Sequence, residues 1–154
     1  MSRVIIVIDT DLPAEAVHAA LIDFSPRRPE LWPSITPSTY EVYEIGDTWA
    51  EIREGSGDGS SWARQRYDWS QPGRVIWTVV ESGYAMPGDF TAADISERDG
   101  GGSRIRLEWQ RRGTHLTAKV MVGMIALMRG FPVKRSFEAG LKAIAAARLL
   151  SGVG

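Results

Sequence analysis

The sequence predicts an α+β fold in which a curved, seven-stranded antiparallel sheet wraps a long, kinked C-terminal helix, in the order β-α-α-β6-α. Three observations predict it. A β-branched run, residues 3–9, leads into a short helical stretch. Strand-and-turn pattern then continues without interruption from Tyr40 to Arg112. The chain closes with unusually apolar helical sequence from His115 to Leu150. One helix cannot cover both faces of a large antiparallel sheet, so the sheet is expected to curl around it. The space between sheet and helix is where function is expected.

Each element has its own signal. RVIIVIDT reads as a strand because it is rich in β-branched residues. Asp11 is placed to cap the next helix, with Pro13 in its first turn. Ala14, Val17, Leu21 and Phe24 share one face at helical spacing. Pro26, Pro29 and Pro33 break that pattern and leave room for one helical turn around Glu30, Leu31 and Trp32. Turn chemistry then separates six strands at Gly46-Asp47, residues 55–61, Gln71-Pro72-Gly73, residues 83–88 and Asp99 to Gly102. The last of these strands alternates cleanly, with Ile105, Leu107 and Trp109 on one face and Arg104, Arg106 and Glu108 on the other. The same rule turns Ala63, Gln65, Tyr67 and Trp69 inward and Arg64, Arg66 and Asp68 outward. RVIWTVV is apolar on both parities, and its facing stays open.

The closing helix has two halves. Leu116 to Met128 is apolar nearly all round, with Lys119 its one charge, and is expected to be buried on most sides. Gly130-Phe131-Pro132 predicts a kink, since proline removes a backbone donor. Beyond it, Val133, Phe137, Leu141 and Ile144 form a single stripe, with Lys134, Arg135, Glu138 and Lys142 outside.

At 154 residues, 44% hydrophobic and 24% charged, the chain is expected to be one domain, residues 1–154. A net charge of −1 with dispersed basic residues gives no footprint for nucleic acid. The Arg27-Arg28 and Arg111-Arg112 pairs read as solvated faces. The absence of cysteine removes disulfides and thiolate chemistry. The Val4–Ile8 run is too short for a signal-peptide core, and no stretch approaches the roughly twenty apolar residues that span a bilayer. A soluble, cytoplasmic protein without stable membrane insertion is expected.

The element order, together with IDTDLPAEAVHAALIDFSPRRPELWPSI, WSQPGRVIWTV, and DGGGSRIRLEW followed by FEAGLKAIAAA, resembles the helix-grip fold of the SRPBCC superfamily. That superfamily includes START lipid-transfer domains, plant pathogenesis-related allergens and the polyketide cyclase/dehydrase and lipid-transport family. The resemblance covers nearly the whole chain but rests on turn and packing residues. It implies an internal pocket with the closing helix as one wall. It does not choose among carriers, cyclases and oxygenase domains. Iron-binding oxygenase partners are set aside, because His18 and His115 are the only histidines.

Six tryptophans are the compositional outlier. For Trp69 and Trp109, filling a curved sheet and lining a pocket are both open; Trp62 and Trp49 read as packing or surface. Met121, Met124 and Met128 recur at helical spacing and suit either core packing or the wall of an adaptable cavity. Taken with the resemblance, the expected ligand-lining set is Tyr67, Trp69, Trp109, Met121, Met124 and Met128, with Arg129 or Gln65 as polar contacts. No nucleophile elbow, phosphate loop or zinc ligand set is present, so no catalytic residue, metal or cofactor is assigned. His115 reads as a surface or capping residue and His18 as a border residue. The expected function is binding of a hydrophobic or aromatic small molecule or lipid in an internal cavity, with transport as the role such a cavity would also serve. The alternative is a polyketide cyclase, aromatase or dehydratase-like enzyme. A third reading makes the apolar helix stretch a homodimer face.

Overall fold

A computed structural model describes residues 2–58 and 60–152. The elements run β1 (Ser2–Thr10), α1 (Ala14–Leu21), α2 (Arg28–Leu31), a 3-10 turn (Pro37–Thr39), β2 (Glu41–Ile45), β3 (Trp49–Glu54), β4 (Ala63–Asp68), β5 (Arg74–Ser82), β6 (Phe90–Glu97), β7 (Ser103–Arg111), α3 (Leu116–Leu127) and α4 (Phe131–Leu150). The strands form one antiparallel sheet in the order β1-β7-β6-β5-β4-β3-β2. Strands β2 to β7 make a meander of hairpins, and β1 closes one edge by pairing with β7. There Val4 faces Trp109, Ile6 faces Leu107 and Ile8 faces Ile105 across the ladder, all of them buried. Register shifts between Val42 and Glu44 and between Arg64 and Gln65 add local twist to a sheet that has to curve.

The sheet is the curved antiparallel sheet that the periodicities predict, with a dry concave face and a wet convex one. Ala63, Gln65 and Tyr67 are buried, while Arg66 on the opposite parity is exposed. The open question on β5 is settled by its register. Trp77 pairs with Tyr67 and Val79 with Gln65, so Val75, Trp77 and Val79 face inward.

Helix α1 buries Val17 and Leu21, and Phe24 beyond its end, against the concave face. Its N-cap is Pro13, with no side-chain cap. Asp11 therefore does not cap it; Thr10 instead accepts a hydrogen bond from the Leu12 amide at 3.3 Å. Helix α4 buries Phe137, Leu141 and Ile144, as its stripe predicts. Gly140 sits flush against the indole of Trp32, where a Cβ would collide with the ring.

The kink in the closing helix is a complete break, with α3 and α4 inclined at 77°. Pro132 does not bend a continuous helix. It occupies the first turn of α4, where a missing N–H costs nothing. The turn is made by two successive left-handed residues, Arg129 at φ 55° and Gly130 at φ 75°. Gly130 is required there, since a side chain would meet Val4 and Ile6.

The largest departure from expectation is α3. It buries only Ala118 and Val122 and leaves Leu116, Val120, Met124 and Leu127 in solvent. Its all-round apolarity does not report burial, because only one side of this helix meets β1 and α4. His115 caps it, with Nδ1 accepting from the Ala118 amide at 3.2 Å and the other ring nitrogen 3.1 Å from the Gly83 carbonyl. Among the described residues no single helix is long and apolar enough to cross a membrane.

Candidate functional site

A cavity of about 200 Å³ lies between the start of α4 and the concave face of β3, β4 and β5. Its apolar wall comes from Leu21, Trp32, Ile35, Trp77, Val133 and Phe137, and its polar end from Arg28, Glu54, Gln65 and Tyr67. Two wider grooves, about 570 and 740 Å³, flank the C-terminal part of α4. They carry no aromatic side chain and no buried polar cluster, so the smaller cavity is the chemically distinctive one.

The polar end is built by three elements. In β3, Ala50, Ile52 and Glu54 alternate onto the dry face, which carries the Glu54 carboxylate inward. In β4, the same alternation brings Gln65 and Tyr67 in. Helix α2, started by the turn around Arg27 with Pro29 in its first turn, delivers Arg28 from above. Arg28 is only 2% exposed. Its Nε donates to Glu54 at 3.0 Å, Nη1 to the Leu21 and Asp23 carbonyls at 2.9 and 3.0 Å, and Nη2 to the Tyr67 hydroxyl at 3.1 Å. The Tyr67 hydroxyl donates in turn to Glu54 Oε1. The guanidinium also lies over the rings of Phe24 and Tyr67, at 4.7 and 5.1 Å.

This arrangement fixes the protonation of Arg28 and Tyr67. Burial alone would drive charge off Arg28, but the adjoining Glu54 carboxylate and Tyr67 oxygen overcome it and hold the guanidinium above its ordinary pKa. Burial, reinforced by Glu54 and partly opposed by Arg28, pushes the Tyr67 phenol well above its usual range, so it stays protonated. The cluster is therefore one cation, one anion and one neutral phenol. Its charge is internally balanced.

One polar group is left over. Gln65 is 7% exposed, and among the described residues its Oε1 has no hydrogen-bond partner. A buried, unmatched acceptor costs about 1–3 kcal/mol, and this one lines the cavity.

Of the expected lining residues, the structure brings Gln65 and Tyr67 together here. Trp69 is half-buried against Phe24, 5.7 Å between ring centroids, and borders a shallow groove near His18. Trp109 is buried in the core under the Arg111 guanidinium. Met121 packs on the core from α3. Met124, Met128 and Arg129 are exposed.

Arg28, Glu54 and Trp77 line the cavity without being among the residues expected there. Both arginine pairs, read as solvated, are split by the fold: Arg28 and Arg111 are buried, while Arg27 is exposed and Arg112 is half-buried. Arg111 donates to the Phe90 carbonyl and Thr91 hydroxyl at 2.9 and 3.1 Å. A signal for Arg28 existed. Glu54 falls on the dry parity of its strand, and a carboxylate there needs a buried cation. Trp77, stacked on Tyr67 at 5.2 Å, follows once β5 is paired with β4.

No protein-family model matches the chain, and no curated protein sequence matches it. Solved structures do. The Zhui aromatase/cyclase from Streptomyces sp. R1128 superposes with a TM-score of 0.73 at 15% identity, covering 96% of this chain and 94% of that one. A START superfamily protein from Mycobacterium smegmatis superposes at 0.70 and 9% identity, covering 92% and 98%. The chain thus shares the fold of these solved structures, the helix-grip fold that its resemblance implies.

Proposed function

We propose that the chain binds a small, uncharged hydrophobic or aromatic molecule in the cavity under α4. The observation that carries this is the unmatched Gln65 Oε1 at the polar end of a pocket whose opposite wall is the apolar set Leu21, Trp32, Ile35, Trp77, Val133 and Phe137. A ligand hydroxyl or amide N–H would satisfy it, while Trp32, Trp77 and Phe137 enclose the rings. A carboxylate is disfavoured, because the Arg28 charge is already matched by Glu54 and, among the described residues, no second cation lines the cavity. The volume is below the roughly 300–1,000 Å³ of drug-sized pockets, which favours one or two fused rings over a long acyl chain.

The test is thermal shift with three probes of one skeleton: 2-naphthol, naphthalene and 2-naphthoate. 2-Naphthol is expected to raise the melting temperature most, and 2-naphthoate least. A Gln65→Leu variant is expected to lose the preference for naphthol over naphthalene, by roughly ten-fold in Kd. Equal response to naphthol and naphthoate would overturn the reading, as would no response to any probe.

A reaction in the same cavity is the second reading. It is favoured by the Tyr67 hydroxyl, held protonated between Arg28 and Glu54, and by aromatase/cyclases among the similar structures. Turnover of a candidate poly-β-keto substrate that survives Tyr67→Phe unchanged would remove that group from any such chemistry.

A further inference from the structure

We propose that the exposed face of α3 is a peripheral docking surface for an anionic lipid bilayer. This is independent of what the cavity holds. Leu116, Val120, Met124 and Leu127 fall within an arc of about 80° at 100° per residue, and all four are exposed, Leu116 by 78% and Leu127 by 82%. Phe131, at the start of α4, extends the patch and is also exposed. A continuous apolar stripe of this size on a helix is a contact surface rather than scatter.

Charge decides what it contacts. Residues 113–137 contain no aspartate or glutamate and four lysines and arginines. Lys119 borders the stripe on one side, and Arg129 and Arg135 lie beyond its C-terminal end, all exposed. A two-fold dimer through this face would bring those cations against their own copies. An anionic headgroup layer neutralises them while its acyl boundary takes the aliphatic side chains, which is the pattern of interfacial amphipathic helices. The patch is a convex helix face and not a groove, and it offers no tryptophan or tyrosine anchor of the kind that dominates protein interfaces. Twelve residues give a helix of about 18 Å, too short to span a bilayer, so docking is superficial.

The experiment is flotation of the whole chain with vesicles of phosphatidylcholine alone and of phosphatidylcholine mixed with phosphatidylglycerol, at low and at physiological salt. Binding is expected to the mixed vesicles only, weakening as salt rises. Leu127→Asp is expected to lower that binding about ten-fold or more, since one leucine no longer leaves water. The Lys119→Glu/Arg129→Glu double variant is expected to lower it several-fold and to flatten the salt dependence. Both variants alter exposed positions, so each should melt within about 2 °C of the parent. Failure to bind either vesicle would overturn the proposal, as would equal binding to both. Sedimentation showing a micromolar dimer that Leu127→Asp dissociates would also overturn it, by assigning the face to a second copy.

Discussion

Leu127 on α3 is 82% exposed, whereas Leu141 on α4 is 6% exposed. Both sit in helices drawn from the same apolar C-terminal sequence, and α3 is the less charged of the two. What separates them is the surface each one meets. Helix α4 lies in the concavity, against α1, α2 and β1, with Phe137 tilted on Trp32 at 5.0 Å. Helix α3 turns away by 77° and meets the sheet chiefly along β1. Burial follows the partner surface and not the hydrophobicity of the helix that might use it.

The matched leucines turn that comparison into a measurement. Leu141→Ala removes a buried core side chain, so the transfer and cavity costs add to about 2–5 kcal/mol. Urea denaturation would show this as a lower midpoint with an unchanged slope. A loss under about 1 kcal/mol would mean that α4 is held loosely, and the contrast with α3 would collapse.

Alkaline pH probes the same side of the molecule through the cluster beneath α4. Tyr67 is raised in the folded state by burial first and by Glu54 second. Tyr40, whose hydroxyl donates to the Ser25 carbonyl at 3.2 Å, is raised to about 12, again chiefly by burial. In the unfolded chain both titrate near the ordinary value of about 10. A raised folded pKa means the unfolded chain loses its proton first. The stabilising contribution is therefore complete below about pH 10 and is lost as pH climbs through the folded values. Stability should fall across that window, and Tyr67→Phe should fall less steeply than the parent. Identical slopes would say that the phenol titrates as if in water and that the cluster is open.

Alternation carried the fold: TWAEIRE, ARQRYD and RIRLEW each sort their side chains onto wet and dry faces as found. Period and turn chemistry are local properties, so a local reading recovers them. The candidate cavity is legible only where it rides on that alternation, in the inward facing of Gln65 and Tyr67. Arg28 arrives from a four-residue helix with no period of its own, and its burial depends on Glu54, far along the chain. The facing of Trp77 needed the β4–β5 register. The exposure of Met124 and Met128 escapes the sequence for another reason. An apolar helix states that it has a face to cover and does not state what covers it.

That last point is the subject of the gentlest prediction. Leu127→Ala deletes a large aliphatic side chain from an apolar helix, and hydropathy alone would forecast a core-sized loss. The structure forecasts almost none. The side chain has little buried area to forfeit, and alanine is at least as good a helix former as leucine. The change should stay within about 0.5 kcal/mol of the parent and leave the denaturant slope untouched. A loss of 2 kcal/mol or more, like that of about 2–5 expected for Leu141→Ala, would place α3 inside the fold. The two closing helices would then be gripped alike, and the lipid-facing role of α3 would fall with the contrast.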